Sequence, residues 1–154
     1  MKNHKLLILL LLIIPVLASG CVSLTQQLGE QMSVLPGRYA SFDLKLGLEV
    51  KKAGEQVSVE GVVKNTRYAF MEDLEIWITP QDISGKSLAR SVSYFIPGIL
   101  KLDDYAQFSV KFPVTATPIA KLLFTYRYTG NDGGDKEGGG AIPWMNSFVA
   151  NLDQ

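Results

Sequence analysis

From Phe42 onward, apolar and polar residues alternate with a period of two. Phe42, Leu44, Leu46, Leu48 and Val50 alternate with Ser, Asp, Lys, Gly and Glu or Lys neighbours, which predicts a half-buried strand with its apolar set on one face. Ala53-Gly54-Glu55 is a turn, and Val57, Val59, Gly61 and Val63 continue the alternation. Asn65 to Asp73 is a connection. A third strand follows at Leu74, Ile76 and Ile78, with Trp77 on the opposite face, ended by Pro80, which cannot donate to a central ladder. Asp82 to Lys86 is a turn, and Leu88 to Ile96 is a strand stopped by Pro97-Gly98. Ala106, Phe108, Val110, Phe112 and Val114 alternate again, as do Ala120, Leu122, Phe124, Tyr126 and Tyr128. The last candidate is Ser147 to Leu152, after Ile142-Pro143-Trp144. This pattern predicts an all-β fold: an antiparallel, immunoglobulin-like β-sandwich of about seven strands. An open barrel is the alternative.

The alternation does not reach the N-terminus. Val22 to Arg38 is polar; Leu24, Leu28 and Met32 allow a turn or two of helix, but a short isolated helix is marginal in water. Pro36-Gly37 closes this tether. Ahead of it, Lys2 and Lys5 precede a 12-residue apolar stretch, Leu6 to Leu17, interrupted only by Pro15. As a helix this spans roughly 18 Å, too short for a hydrocarbon core of about 30 Å, and is the mark of an export signal. Leu17-Ala18-Ser19-Gly20-Cys21 resembles the lipobox of bacterial lipoproteins, departing from it in having Ala18 where Leu is commonest. The resemblance implies cleavage between Gly20 and Cys21, a diacylglycerol on the Cys21 sulfur and acylation of the new amine. Residues 1–20 are then a signal peptide, 21–38 the lipidated Cys and tether, and 39–154 the sandwich. Lipidation also accounts for a lone Cys in an exported chain, where an unpaired thiol is a liability, and several acyl chains make a firm anchor. Val22 is not the Asp associated with inner-membrane retention. The outer membrane, on its periplasmic face or its surface, is therefore expected if the source is Gram-negative.

Charge changes the picture once the signal is removed. The chain has 15 basic and 15 acidic residues, and without Lys2 and Lys5 the balance is 13 to 15. No basic excess supports nucleic-acid binding. The single His, His4, leaves with the signal, so Ser-His-Asp and Cys-His designs and His-based metal sites are excluded from the mature chain. No catalytic residue and no cofactor is expected. Glu72-Asp73 and Asp103-Asp104 sit in predicted connections, as solvated turn residues and not as a glycosidase pair. Gly130 to Gly140 holds six glycines in eleven positions. Its Asp132, Asp135 and Glu137 offer oxygen ligands of the kind Ca²⁺ takes, yet the spacing fits neither an EF-hand nor an RTX repeat. A solvated hairpin loop is the preferred reading, with no metal assigned.

Aromatics supply the remaining candidates. Most on strands serve the core or cross-strand pairs. Trp77, outside the parity of its apolar neighbours, and Tyr68 and Phe70, in a connecting loop, are the candidate partner-binding residues. Gly61-Val62-Val63-Lys64-Asn65, Leu74 to Ile78, Asp82 with Gly85, Pro97-Gly98 and Phe108-Ser109-Val110 are similar in layout to FxLYD-type domains of bacterial extracytoplasmic proteins, over roughly Val57 to Val114. Thr79-Pro80-Gln81 and the longer Ile99 to Asp104 stretch depart from that layout. The resemblance implies an immunoglobulin-like fold and an exported setting, without a reaction. The expected function is a non-enzymatic, membrane-anchored lipoprotein that binds or scaffolds an envelope protein through a sheet edge, a loop or exposed aromatics. The alternative is a small-ligand or glycan binder using aromatics, with or without Ca²⁺.

Overall fold

The computed structural model describes residues 23–54, 56–96, 98–113, 117–134 and 140–151. The proposed signal peptide, Gly20, Cys21, Asp135 and Glu137 lie outside them. In chain order the elements are α1 (Leu24–Val34), β1 (Gly37–Ala40), β2 (Leu44–Ala53), β3 (Gln56–Asn65), β4 (Phe70–Gln81), β5 (Ser91–Tyr94), β6 (Ile99–Lys101), β7 (Tyr105–Pro113), β8 (Lys121–Asn131) and β9 (Ile142–Asn151).

The strands form two antiparallel sheets. Sheet A has the order β1-β2-β3-β7, and sheet B the order β5-β4-β8-β9, with β6 also pairing β4. β2 and β3 form a hairpin whose tip holds Gly54 at φ 58, a left-handed conformation that glycine adopts without a Cβ clash. The chain then crosses to sheet B for β4, returns to place β7 beside β3, and crosses again to place β8 beside β4. These crossings make the fold an immunoglobulin-like β-sandwich, as the alternating pattern predicts. Leu44, Leu46, Val59 and Phe108 of sheet A pack against Ile76, Ile78, Phe124 and Tyr126 of sheet B in one continuous core. Gly61 is required inside it: a Cβ there would collide with the Gly47 carbonyl and the Phe108 ring.

Several local expectations change. β2 starts at Leu44, not Phe42; the Ser41 N–H donates to the Leu44 carbonyl (2.9 Å), and the turn exposes Phe42 while burying Asp43 completely. Pro80 does not end the third strand. Its carbonyl accepts from Leu88 N–H (2.9 Å), on the side away from β8, so its missing N–H falls outside the β4–β8 ladder. The predicted strand from Leu88 to Ile96 is regular only over Ser91–Tyr94. β1 and β6 are short strands that the alternation does not predict.

The stretch expected to be a tether forms α1 instead. Ser23 caps it, accepting from the Gln26 N–H at 3.2 Å. Leu28 and Leu35 bury against Val62, with Met32 and Tyr105 alongside. Burying a leucine in this way contributes about 1.5–3 kcal/mol, enough to hold a helix that would be marginal alone. Gly47 lets α1 approach, since a Cβ there would meet Met32 and Leu35 at 3.1 Å.

Candidate functional site

The densest polar cluster lies at one end of the core. Asp43 Oδ2 accepts from Tyr128 Oη at 2.6 Å, its Oδ1 accepts from Tyr126 Oη at 3.1 Å and from Ser41 Oγ, and Asn146 Nδ2 reaches Tyr126 Oη at 3.4 Å. Burial pushes both tyrosine hydroxyls far above their ordinary pKa, so both remain donors. Every member faces another member. The cluster fastens the β1–β2 turn to sheet B and is a structural clamp, since burial closes the carboxylate off.

The outer faces of the two sheets differ more informatively. On sheet A, α1 covers Val62, and the uncovered part carries charge: Lys51 bridges Glu49 (3.1 Å) and Glu60 (3.0 Å), and Lys64 pairs with Asp103 at 2.7 Å. On sheet B the register builds three cross-strand rows. These are Tyr94–Glu75–Arg127–Met145, Val92–Trp77–Thr125–Ser147 and Thr79–Leu123–Val149. Met145 is 69%, Tyr94 62% and Val149 50% exposed; no described element covers them. At the centre, Arg127 donates to Glu75 through Nε (2.6 Å) and Nη2 (2.9 Å), and Trp77 Nε1 donates to the same carboxylate at 2.9 Å. The Arg127 bonds, opposed by partial burial and aided by Trp77, hold the Glu75 carboxyl below its usual pKa. Beside Trp77 the Ser87–Arg90 segment walls a shallow cavity of 510 Å³ floored by Thr79, Leu123 and Thr125.

The sequence candidates fall in different places. Trp77 does lie on the outer face of sheet B, half-buried, with the Arg90 guanidinium 4.2 Å from its ring centroid; a sugar stacking on that face would have to displace Arg90. Tyr68 is not presented by a loop. Asn65, itself fully buried, accepts from Tyr68 N–H (3.2 Å) and donates to its carbonyl (2.8 Å), turning the ring inward against Tyr128 at 5.7 Å between centroids. Phe70 is the first residue of β4, paired with Lys101 and Asn131, and is half-buried. The structure does not bring Trp77, Tyr68 and Phe70 together. Asp132 is exposed, and beside it Asn131 Oδ1 accepts from Gly133 N–H at 2.8 Å. No group of three or more His, Cys, Asp or Glu able to hold a metal occurs among the described residues. Asp104 Oδ2 accepts from Lys101 N–H (3.2 Å) in the β6–β7 turn, and Asp73 sits at φ 51 in a bulge of β4.

Sequence reasoning missed Met145 and Val149. Their signal is the alternation of β9, where Trp144, Asn146 and Phe148 take the inward parity: Met145 precedes the predicted strand, and Val149 lies within it at an outward position.

No protein-family model matches the chain, and no curated protein matches it. Among solved structures it is similar, at 14% identity and a TM-score of 0.37, to a crystal structure of the GAE domain of yeast GGA1, covering 71% of this chain and 95% of that one. It is also similar to target SoR45 of the Northeast Structural Genomics Consortium, at 13% identity and a TM-score of 0.41, covering 72% and 88%. The sandwich assignment rests on the strand pairing itself.

Proposed function

We propose that this chain is a lipid-anchored docking module of the bacterial cell envelope, held through Cys21, that engages an envelope protein with the outer face of sheet B and performs no chemistry. One observation carries the docking reading: sheet A's outer face is completed by α1 and ion pairs, while sheet B's presents Tyr94, Met145 and Val149 to solvent. A face of this kind, apolar with a polar centre, suits a protein partner. The anchor supports the same direction. Cys21 stands three residues before α1, a reach of about 10 Å at most, so a lipid there holds the α1 side toward the membrane and leaves sheet B facing away from it. If the source is Gram-negative, the outer membrane remains the expected site.

The test uses the full chain in its native envelope. An alkyne-tagged fatty acid should label the wild type and not Cys21→Ser, which should be released from the membrane. Met145→Asp with Val149→Asp should keep the label and the fold while losing the partner recovered with wild type. An unlabelled wild-type chain overturns the anchor; a partner retained by the double variant overturns the docking face.

A further inference from the structure

Strand edges left open in a sandwich are ordinarily shortened, charged or covered, because their unpaired backbone groups template another strand. In this molecule the short edges β1, β5 and β6 have four, four and three residues. β7 carries Lys111 and runs beside α1, where Gln107 Nε2 donates to Gln31 Oε1 at 2.7 Å. The segment of β2 beyond β1 holds Glu49, Lys51 and Lys52. β9 differs: it is ten residues long, lies at the end of sheet B, contains no Asp, Glu, Lys or Arg, and among the described residues no strand pairs its outer edge, Pro143 being its one edge-protecting residue.

The backbone groups on that edge can be assigned. Pro80's carbonyl points to Leu88, away from β8. Alternation along the unbulged stretch of β4 then directs Thr79, Trp77 and Glu75 toward β8. On β8 the even-numbered residues accordingly face β9, and on β9 the even-numbered residues face back to β8. Pro143, Met145, Ser147, Val149 and Asn151 therefore turn their backbones outward. Two details agree with this. Pro143 has no N–H to leave unpaired, and the Ser147 N–H, lacking a ladder partner, is met by Asn146 Oδ1 at 2.8 Å. Behind the edge the core is already closed, with Tyr39 stacked on Phe148 at 3.7 Å. Among the described strands, β9 pairs with β8 alone.

We infer that the partner strand is β9 of a second copy, paired antiparallel about Ser147. In that register Ser147 opposes its own copy and Met145 opposes Val149. All odd-numbered pairs direct backbone groups at each other, and each face of the sheet continues into the same face of the copy. The absence of charge is compatible with self-pairing: on the two-fold axis a charge at Ser147 would meet its own copy, and like charges at Met145 and Val149 would oppose each other, but β9 carries none. Pairing joins two B sheets into one and doubles the outer face on which the docking proposal rests, although neither claim requires the other.

Ser147→Cys in the full chain, in its native membrane under mild oxidation, should give a disulfide-linked dimer, the opposed Cα atoms being about 5.5 Å apart. Wild type, with only Cys21, and Ser109→Cys on exposed β7 should not. In detergent the wild type should sediment as a dimer, and Ser147→Lys, which sets two ammonium groups against each other, should weaken association at least tenfold, with a melting temperature equal to wild type's at dilutions where both are monomeric. Ser147→Thr should pair normally. A wild-type monomer at tens of micromolar, equal crosslinking at position 109, or a position-147 disulfide to a different protein overturns the inference. A monomer whose sheet B face still engages an envelope protein would overturn the pairing and leave the docking proposal standing.

Discussion

The two outer faces of this sandwich are built from the same kind of strand and end up in opposite conditions. Val62 on sheet A is fully buried, roofed by Leu28 of α1 and by Leu35, the residue that caps it, whereas Met145 and Val149, at comparable outward positions on sheet B, are at least half exposed. The difference teaches which part of the surface the fold finishes by itself. α1, the ion pairs of Lys51 and the Lys64–Asp103 pair complete sheet A. Sheet B receives one bidentate pair and one capped tryptophan at its centre, and its apolar flanks are left in water.

The largest test of that contrast is a charge placed beneath the helix. Val62→Asp should lift α1 away, because an unpaired carboxylate is not held in an apolar contact; the cost, bounded by the docking energy, should be about 3 kcal/mol in denaturant unfolding, with a loss of helical signal. Leu28→Ala should cost about 2 kcal/mol by the same measurement, and hydrogen exchange should quicken in α1 before it does in β3. Glu75→Gln should act more weakly and mainly at neutral pH. The Glu75 carboxyl is held down chiefly by Arg127, so its contribution is present at neutral pH and fades as pH falls below the ordinary glutamate range. Wild type should therefore lose stability relative to Glu75→Gln as pH drops through about 4, modestly, because Arg127 is 59% exposed. Smallest of all, Met145→Asp with Val149→Asp should leave the unfolding free energy within about 0.5 kcal/mol of wild type. A loss comparable to that of Leu28→Ala would mean that sheet B's face is part of the fold's own packing.

The strands were largely legible in the sequence because one buried face per sheet imposes a period of two: the inward runs Leu44-Leu46-Leu48 and Leu122-Phe124-Tyr126 follow from alternation alone. What escaped depended on tertiary partners. α1 is unremarkable as a peptide and stable only because Val62 and Gly47, outward residues of strands that begin ten or more positions after it ends, make a site for it. Asp43 reads as a solvent-facing strand residue, and becomes a buried clamp only when Tyr126 and Tyr128 arrive from β8. Tyr68 reads as a loop aromatic until Asn65 turns it inward. Parity alone puts Trp77 on the outer face with Glu75 two residues away on the same strand, but Arg90 over its ring and Arg127 on Glu75 come from elsewhere in the chain, which a single strand's pattern does not carry.

The asymmetry of the two faces is tested most directly by a photoreactive side chain moved across them in the native envelope. Placed at Tyr94 or Met145 on sheet B, it should capture one and the same envelope protein on illumination, Met145 also reaching the second copy across the β9 pairing; at Lys45 or Lys111 on sheet A it should capture no envelope protein. Equal capture from both sheets, or capture from sheet A alone, would contradict the assignment of docking to sheet B.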